Sequence, residues 1–334
     1  MRTPLAALCL LAASACASRA SLDDAAVTRA GDFAAGVEQD RLMADVASLV
    51  TAHDTDTPLD CTAFDTKNID TDHSPLCDHT RFKAREFVRE RFQALGYRVT
   101  TQDTEDPLFP TSNLIAEIPG ERSDEVVLVG AHYDAFHSGA DDNSSGVAAM
   151  LEMARLAKGK HFLRTVRFVG FDLEELGLVG SARYVRAYPE QRVVASIVFD
   201  CIGYRDARPG AQMGLPGFPI PDTGDFLAAI GNAYSRPRLE ELSALNSRLG
   251  LIFLEGVVTP NDGSGPLSGN LMRSDHAPFW LAGQSSLFLT DTANFRNPNY
   301  HRSTDVLDTL DPDFLARVTR LSAAGLFFWA EGQP

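Results

Sequence analysis

The chain of 334 residues is short of positive charge: 30 Lys and Arg stand against 45 Asp and Glu, a formal net charge of −15 at pH 7. A phosphate backbone is gripped by a Lys/Arg surface, so this balance excludes nucleic acid as a partner. Long apolar runs are missing as well. No stretch approaches the roughly 18 apolar residues that span a bilayer, which excludes a transmembrane segment. Five cysteines are too few for a disulfide scaffold, and a chain of this length buries about 75% of its unfolded surface without one. No Gly-x-Ser-x-Gly elbow occurs, which disfavours a serine hydrolase. No His-Glu-x-x-His occurs, which disfavours a single-zinc protease. Internal repeats and low-complexity segments are absent too, and 44% hydrophobic with 22% charged residues is an ordinary globular composition.

What is present begins with a leader-like start. Met1-Arg2, the apolar run Pro4 to Ala13 and the small residues Ala13-Ser14-Ala15-Cys16-Ala17-Ser18 have the basic start, short apolar core and small-residue exit of a secretory signal. Residues 1–18 are therefore expected to be a signal peptide or a lipoprotein signal with Cys16 as the lipid-carrying residue, and the protein to be exported: periplasmic, secreted or lipid-anchored. In an oxidising compartment Cys61 and Cys77, flanking a polar stretch without periodicity, could close a loop of about 16 residues worth roughly 3 kcal/mol. Cys201, in an apolar strand, reads as a small core residue.

Helical spacing predicts helices over 40–51 and 80–95. Alternating strand and helix patterns then follow, with strands at 97–102, 113–118, 126–132, 166–172 and 193–202 and helices at 145–157 and 178–188. That rhythm means βαβ units and a sheet covered by helices on both faces. Residues 205–270 are rich in Gly and Pro, with one helix near 226–234. A strand at 286–290 and a helix at 312–329 close the chain. The expected organisation is a helical extension over 19–105, carrying the Cys61/Cys77 loop, and a catalytic α/β domain over 106–334, the two forming one compact unit.

Chemistry concentrates at the C-terminal ends of the strands, where α/β sheets place ligands. His132-Tyr133-Asp134 puts His132 and Asp134 on one side of an extended segment, so that Asp134 can buttress the imidazole. The polar turn Gly139 to Gly146 offers Asp141 and Asp142. Glu174 and Glu175 follow the strand that ends near Asp172, an adjacent carboxylate pair that calls for cations. Asp200 lies inside the apolar run Ile197 to Ile202, where a carboxylate needs a partner or a metal. Ser274-Asp275-His276 supplies another imidazole beside an acid. Imidazoles and carboxylates without thiolates describe a site for zinc, manganese or cobalt, and so many carboxylates suit two ions sharing one of them.

These five motifs, in this order and spacing across about residues 110–310, resemble the M28 family of zinc aminopeptidases. The resemblance implies a zinc-exopeptidase-like fold: a mixed, largely parallel central sheet in a three-layer αβα arrangement. It implies two Zn2+ ions, with Asp142 bridging, His132 and Asp200 completing one site and Glu175 and His276 the other. Glu174 would be the general base, Asp134 would orient His132, and Asp275 would support His276. A cis peptide is implied at Asp142-Asn143. The stretch Tyr300-His301 is similar to the family's Tyr-His-Thr segment, and either side chain would donate to the oxyanion. Substrates would be peptides with a free N-terminus. Phe279, Trp280 and Phe295 could line a side-chain pocket, and His53, His73, His79, His137 and His161 read as surface or loop residues. The alternatives are a glutaminyl cyclase, a carboxypeptidase on the same fold, and a non-enzymatic ectodomain that has lost its ligands.

Overall fold

The computed structural model describes residues 22–53, 78–106, 109–214, 218–259, 262–263, 265 and 268–331. The leader-like start with Cys16, the pair Cys61 and Cys77, and His73 lie outside the described residues, as does the side chain of His79. Eight strands form one mixed sheet: β1 (Val99–Thr104), β2 (Thr111–Ile118), β3 (Arg122–His132), β4 (Arg164–Phe171), β5 (Arg192–Phe199), β6 (Leu227–Gly231), β7 (Leu254–Val258) and β8 (Leu287–Thr290). Their spatial order is β1-β2-β4-β3-β5-β8-β6-β7. The pairs β3/β4, β3/β5, β5/β8 and β6/β7 are parallel, whereas β1/β2, β2/β4 and β6/β8 are antiparallel. The central strands are continuous apolar runs because helices cover both faces; Val126 to Ala131 of β3 is buried throughout.

The helices are α1 (Asp24–Ala34), α2 (Gln39–His53), α3 (Asp78–Ala94), α4 (Gly146–Ala157), α5 (Val179–Ala187), α6 (Arg236–Leu249), α7 (Ala277–Leu281) and α8 (Pro312–Glu331). Asp23 caps α1 by accepting from the Ala26 amide at 3.0 Å, and Gly250 ends α6 at φ 63°, a conformation glycine adopts without a Cβ penalty. Leu42, Val46 and Leu49 of α2 share one apolar cluster with α4, α8 and the inner strands. No helix among the described residues is long and apolar enough to cross a membrane.

Two of the expected elements change. The run at 226–234 is strand β6, not a helix: Leu227-Ala-Ala-Ile-Gly231 is five residues long and entirely buried between β7 and β8, and an apolar run that short carries no period to distinguish helix from strand. Strand β5 stops at Phe199, so Asp200 stands just past the strand end rather than inside it. The helices α1 and α6 and the strand β7 were not anticipated.

Candidate metal centre

Parallel strands β3, β4 and β5 lie side by side and deliver their ends to one edge of the sheet. His132 ends β3, Glu174 and Glu175 follow β4, and Asp200 follows β5. Asp142 arrives from the irregular turn Ala140–Ser145 ahead of α4, and the Asp142-Asn143 peptide is cis, as the family resemblance implies. This turn is pressed against β5: a Cβ on Gly146 would meet Asn143 Oδ1 at 2.3 Å and Phe199 Cβ at 2.9 Å. The chain then bends sharply at residues with left-handed backbones, Leu173 (φ 53°) before Glu174, Cys201 (φ 56°) after Asp200, and His301 itself (φ 55°). Such conformations in non-glycine residues persist where surroundings hold them, and they cluster at functional sites.

The donors face one another across a small space. His132 Nε2 lies 3.4 Å from Asp142 Oδ1, 3.8 Å from Asp200 Oδ2 and 4.0 Å from Glu174 Oε2. His301 Nε2 lies 3.0 Å from Asp142 Oδ2 and 2.9 Å from Glu175 Oε2. The donor atoms of His132, Asp142 and Asp200 fall within 4.8 Å of one another, as do those of Asp142, Glu175 and His301, and those of His132, Glu174 and Glu175. His132 Nε2, Asp142 Oδ2, Glu175 Oε1 and His301 Nε2 are buried without a hydrogen-bond partner. Buried polar groups are otherwise nearly always satisfied, and four orphaned donors converging from two imidazoles and two carboxylates, with no thiolate among them, fit a divalent ion such as zinc.

Surrounding bonds aim these donors. His132 Nδ1 donates to the Asp134 carbonyl at 3.0 Å, which leaves Nε2 free for a metal. The Asp134 carboxylate stands 3.6 Å from the same ring and accepts from the backbone amides of Glu174 at 3.1 Å and Glu175 at 3.2 Å. It orients both strand ends at once. Asp305 was not anticipated: its buried carboxylate accepts from the Asp141 amide at 3.0 and 3.2 Å and from the Asp142 amide at 3.1 Å. Asp141 is equally buried, accepting from the Gly203 amide at 2.8 Å and the Asn297 side chain at 2.7 Å. Its neighbour Asp142 faces the imidazoles while Asp141 faces inward.

Electrostatics separate these acids. Burial alone would raise Asp142, but the facing imidazoles of His132 and His301 reverse this and hold it well below the usual carboxylate range. Burial pushes Glu174 well above its ordinary value, against the attraction of His132, with Asp200 and Glu175 adding to the rise. Burial and then the charge of Asp142 push Glu175 up to about 8. Burial would lower His301, yet Asp142 and Glu175 outweigh it and carry the imidazole up to about 10. A carboxyl with a raised pKa beside one held ionised is the pairing expected where one group must move protons and the other must stay charged.

One expected ligand does not join the cluster. His276 Nε2 bonds the Leu271 carbonyl at 2.8 Å, and its ring lies flat on Phe288 at 4.5 Å and edge-on to Trp280 at 4.5 Å. This apolar wall lowers its pKa to about 4, and the imidazole that faces Asp142 and Glu175 is that of His301. His301, expected as an oxyanion donor, thus stands among the candidate metal donors. Asp275 is buried next to it, its carboxyl pushed up to about 7 by burial against the His132 charge and the Ser181 hydroxyl. His53 also departs from expectation: it is buried at the end of α2, with Nε2 3.0 Å from the Tyr133 carbonyl. His161 is exposed, and Cys201 is buried and unpaired.

Beside Asp200 and Tyr300 opens a pocket of ≈ 640 Å³, part of it open to solvent. Its floor is Ile220, Phe226, Ala228, Ile230, Val257 and Leu271, and Arg273, Asn294 and Phe295 stand along it. Phe295 thus takes the expected place, whereas Phe279 and Trp280 are wholly buried: Phe279 packs on Phe171 and Tyr184, and Trp280 donates to the Ser286 carbonyl at 2.7 Å. The Tyr300 ring stacks on His301 at 3.8 Å.

The family model described as peptidase family M28 matches residues 113–326. The chain is 30% identical to the uncharacterised protein YfbL of Escherichia coli over 255 residues, covering 71% of this chain and 76% of that one. It spans less than half the length of several other curated relatives it matches. Among solved structures, LapA of Legionella pneumophila superposes with a TM-score of 0.68 at 20% identity over 93% of this chain and 78% of that one. BSAP, a zinc aminopeptidase from Bacillus subtilis, superposes at 0.50 with 26% identity over 65% of this chain and 49% of that one. The glutaminyl cyclase of Fimbriiglobus ruber shares the fold at 0.61 with 18% identity, over 87% and 95%. The strand-end donor cluster and these likenesses agree: the chain belongs to peptidase family M28.

Proposed function

We propose that this chain is an aminopeptidase that removes apolar residues from the free N-termini of peptides, using two zinc ions held by His132, Asp142 and Asp200 and by Asp142, Glu175 and His301. The observation that carries this reading is the position of Asp142, whose Oδ1 faces one imidazole at 3.4 Å and whose Oδ2 faces the other at 3.0 Å. A single carboxylate between two imidazoles, each flanked by a further carboxylate, would suit a residue shared by two cations. When bound, such a pair supplies an activated water and polarises the scissile carbonyl; manganese or cobalt would serve the same donors.

The chain's own groups do the rest. Glu174 has the raised proton affinity of a general base and takes the proton of the attacking water, then returns it to the leaving amine. Its backbone is held by Asp134, which fixes where that carboxylate reaches. The Tyr300 hydroxyl, at the edge of the cluster, donates to the tetrahedral oxyanion. Removal of such a donor typically costs about a hundredfold or more in kcat. The apolar pocket next to Asp200 takes the side chain of the residue being removed, because only apolar atoms recover the water-excluded surface of Ile220, Phe226 and Ile230. The leader-like residues support export, with lipid attachment at Cys16 as the finer form; the mass of the processed N-terminus tests both.

The testing experiment is zinc-loaded protein incubated with a Leu-peptide and a Gln-peptide. Release of free leucine is expected, and pyroglutamate from the Gln-peptide in its place would overturn the reading in favour of cyclisation. Release of the C-terminal residue first would mark a carboxypeptidase. Glu174→Gln should retain metal and lose turnover by at least about a hundredfold; wild-type turnover in that variant would refute the base.

A further inference from the structure

We infer that Arg273 is the receptor for the C-terminal carboxylate of a dipeptide, so that the site favours free dipeptides over longer or blocked chains. The inference rests on the aminopeptidase reading and names its substrate class. Arg273 is exposed and stands along the pocket that also contains Asp200 and Tyr300. Its Nη1 donates to Asn294 Oδ1 at 2.8 Å and its Nη2 to the Tyr300 hydroxyl at 3.3 Å. Both partners are neutral, so they fix the guanidinium without cancelling its charge. Among the described residues two of its five N–H donors are used.

Many arginines of the chain are spent on carboxylates. Arg155, Arg164, Arg167, Arg183 and Arg208 each hold a carboxylate at 3.0 Å or less. Arg273 forms no ion pair among the described residues, although the sequence has 45 acidic residues to 30 basic ones. A held, uncompensated guanidinium beside a reaction centre is complementary to an anion, and its planar fork matches a carboxylate in two parallel bonds.

Distance decides which carboxylate. The guanidinium carbon is 6.0 Å from the centre of the Tyr300 ring, and that ring stacks on His301 at 3.8 Å. Arg273 is therefore one aromatic side chain removed from the donor cluster. A peptide advances about 3.6 Å per residue at most, so when a carbonyl sits at the donors the carboxylate one residue further on comes within reach. An acidic side chain in the pocket itself would instead lie among Ile220, Phe226 and Ile230, a desolvating environment for a charge.

The test compares kcat/KM for Leu-Leu with that for Leu-Leu-amide, which differ only in the terminal charge. The zinc-loaded wild type is expected to prefer the free acid about ten- to a hundredfold, the range of one charge-assisted pair. In Arg273→Gln that ratio should fall to near one, and in Arg273→Lys it should return in part. Structural damage, or a disturbed Tyr300, lowers both substrates together and leaves the ratio standing, so a ratio preserved in Arg273→Gln overturns the inference. Equal cleavage of acid and amide by the wild type overturns it directly. Preference for Glu-amide over Leu-amide, lost in Arg273→Gln, would assign the guanidinium to an acidic side chain instead and equally overturn it. No leucine from either substrate refutes the aminopeptidase reading, and the assignment of Arg273 falls with it.

Discussion

Replacing Asp305 by alanine should unfasten the turn that carries Asp142, although Asp305 touches neither substrate nor ligand atoms. Its carboxylate satisfies two buried backbone amides, those of Asp141 and Asp142, at 3.0 to 3.2 Å. Each buried donor left unpaired costs about 1–3 kcal/mol, so the alanine variant should lose roughly 2–6 kcal/mol. Relief of charge offsets little of this. Burial, and then the charge of Asp141, push Asp305 up to about 8, so at pH 7 the group is already largely uncharged. Asp305→Asn keeps one accepting oxygen and turns an NH2 towards the second amide, so it should lose about half as much. On melting of the metal-free protein the alanine variant should fall by roughly 4–12 °C. Because Asp142 belongs to both donor groups, zinc titration should show weakening at both sites, by about ten- to a hundredfold. A melting temperature within about 1 °C of wild type together with an unchanged titration would refute the account of Asp305 as the clamp.

His301→Ala should reduce bound zinc from two ions to one by elemental analysis. His276→Ala should keep both ions and lose about 2–4 kcal/mol in urea unfolding, the cost of emptying a packed aromatic site; the opposite pattern of metal loss would restore His276 as the ligand. Ala228→Leu narrows the pocket floor and should shift preference among aminoacyl substrates from Leu towards Ala by about tenfold, the worth of one or two methylenes. Asp172 is raised from 3.8 to about 6, by burial first and against the charge of Arg81. Its folded state therefore holds the proton more tightly than the unfolded one, and its contribution to stability falls as pH rises from about 4 to about 6. The gap of about two pH units at about 1.4 kcal/mol each is roughly 3 kcal/mol, and by that amount the stability of Asp172→Asn relative to the parent should rise between pH 4 and pH 7; parallel pH profiles would show that Asp172 does not titrate in this range.

How much of this was legible in the sequence follows from what each residue depends on. His132, Glu174 and Glu175 could be read because strand ends in an α/β sheet are predictable from local apolar runs. Asp142 needed the family resemblance, since Asp141-Asp142 alone cannot say which acid turns inward. The choice between His276 and His301 was beyond local reading. Ser274-Asp275-His276 has the acid-histidine look of a ligand pair, yet the ring is claimed by Phe288 and Trp280, which only the closed sheet brings to it. A usable signal was nonetheless present: Asp305 follows His301 by four residues, and both reach the same turn. Helix α6 displayed its Leu spacing and terminal glycine, whereas β6 and β7 are too short to declare a period.

The burial of His53 bears on what the smallest working version of this protein could be. The match to the family model begins at residue 113, which invites expression of the matching stretch alone. Yet α2 ends with an imidazole under the loop that follows His132, the Glu38 amide is held by Glu152 of α4 at 2.7 Å, Phe33 meets Phe327 of α8 at 4.8 Å, and β1 completes one edge of the sheet along six residue pairs. A fragment starting at 113 would bare the apolar faces of α4 and α8 and an open strand edge, and it should aggregate rather than hydrolyse anything. Catalytic identity and foldability thus have different borders in this chain, and truncation or domain grafting should follow the second.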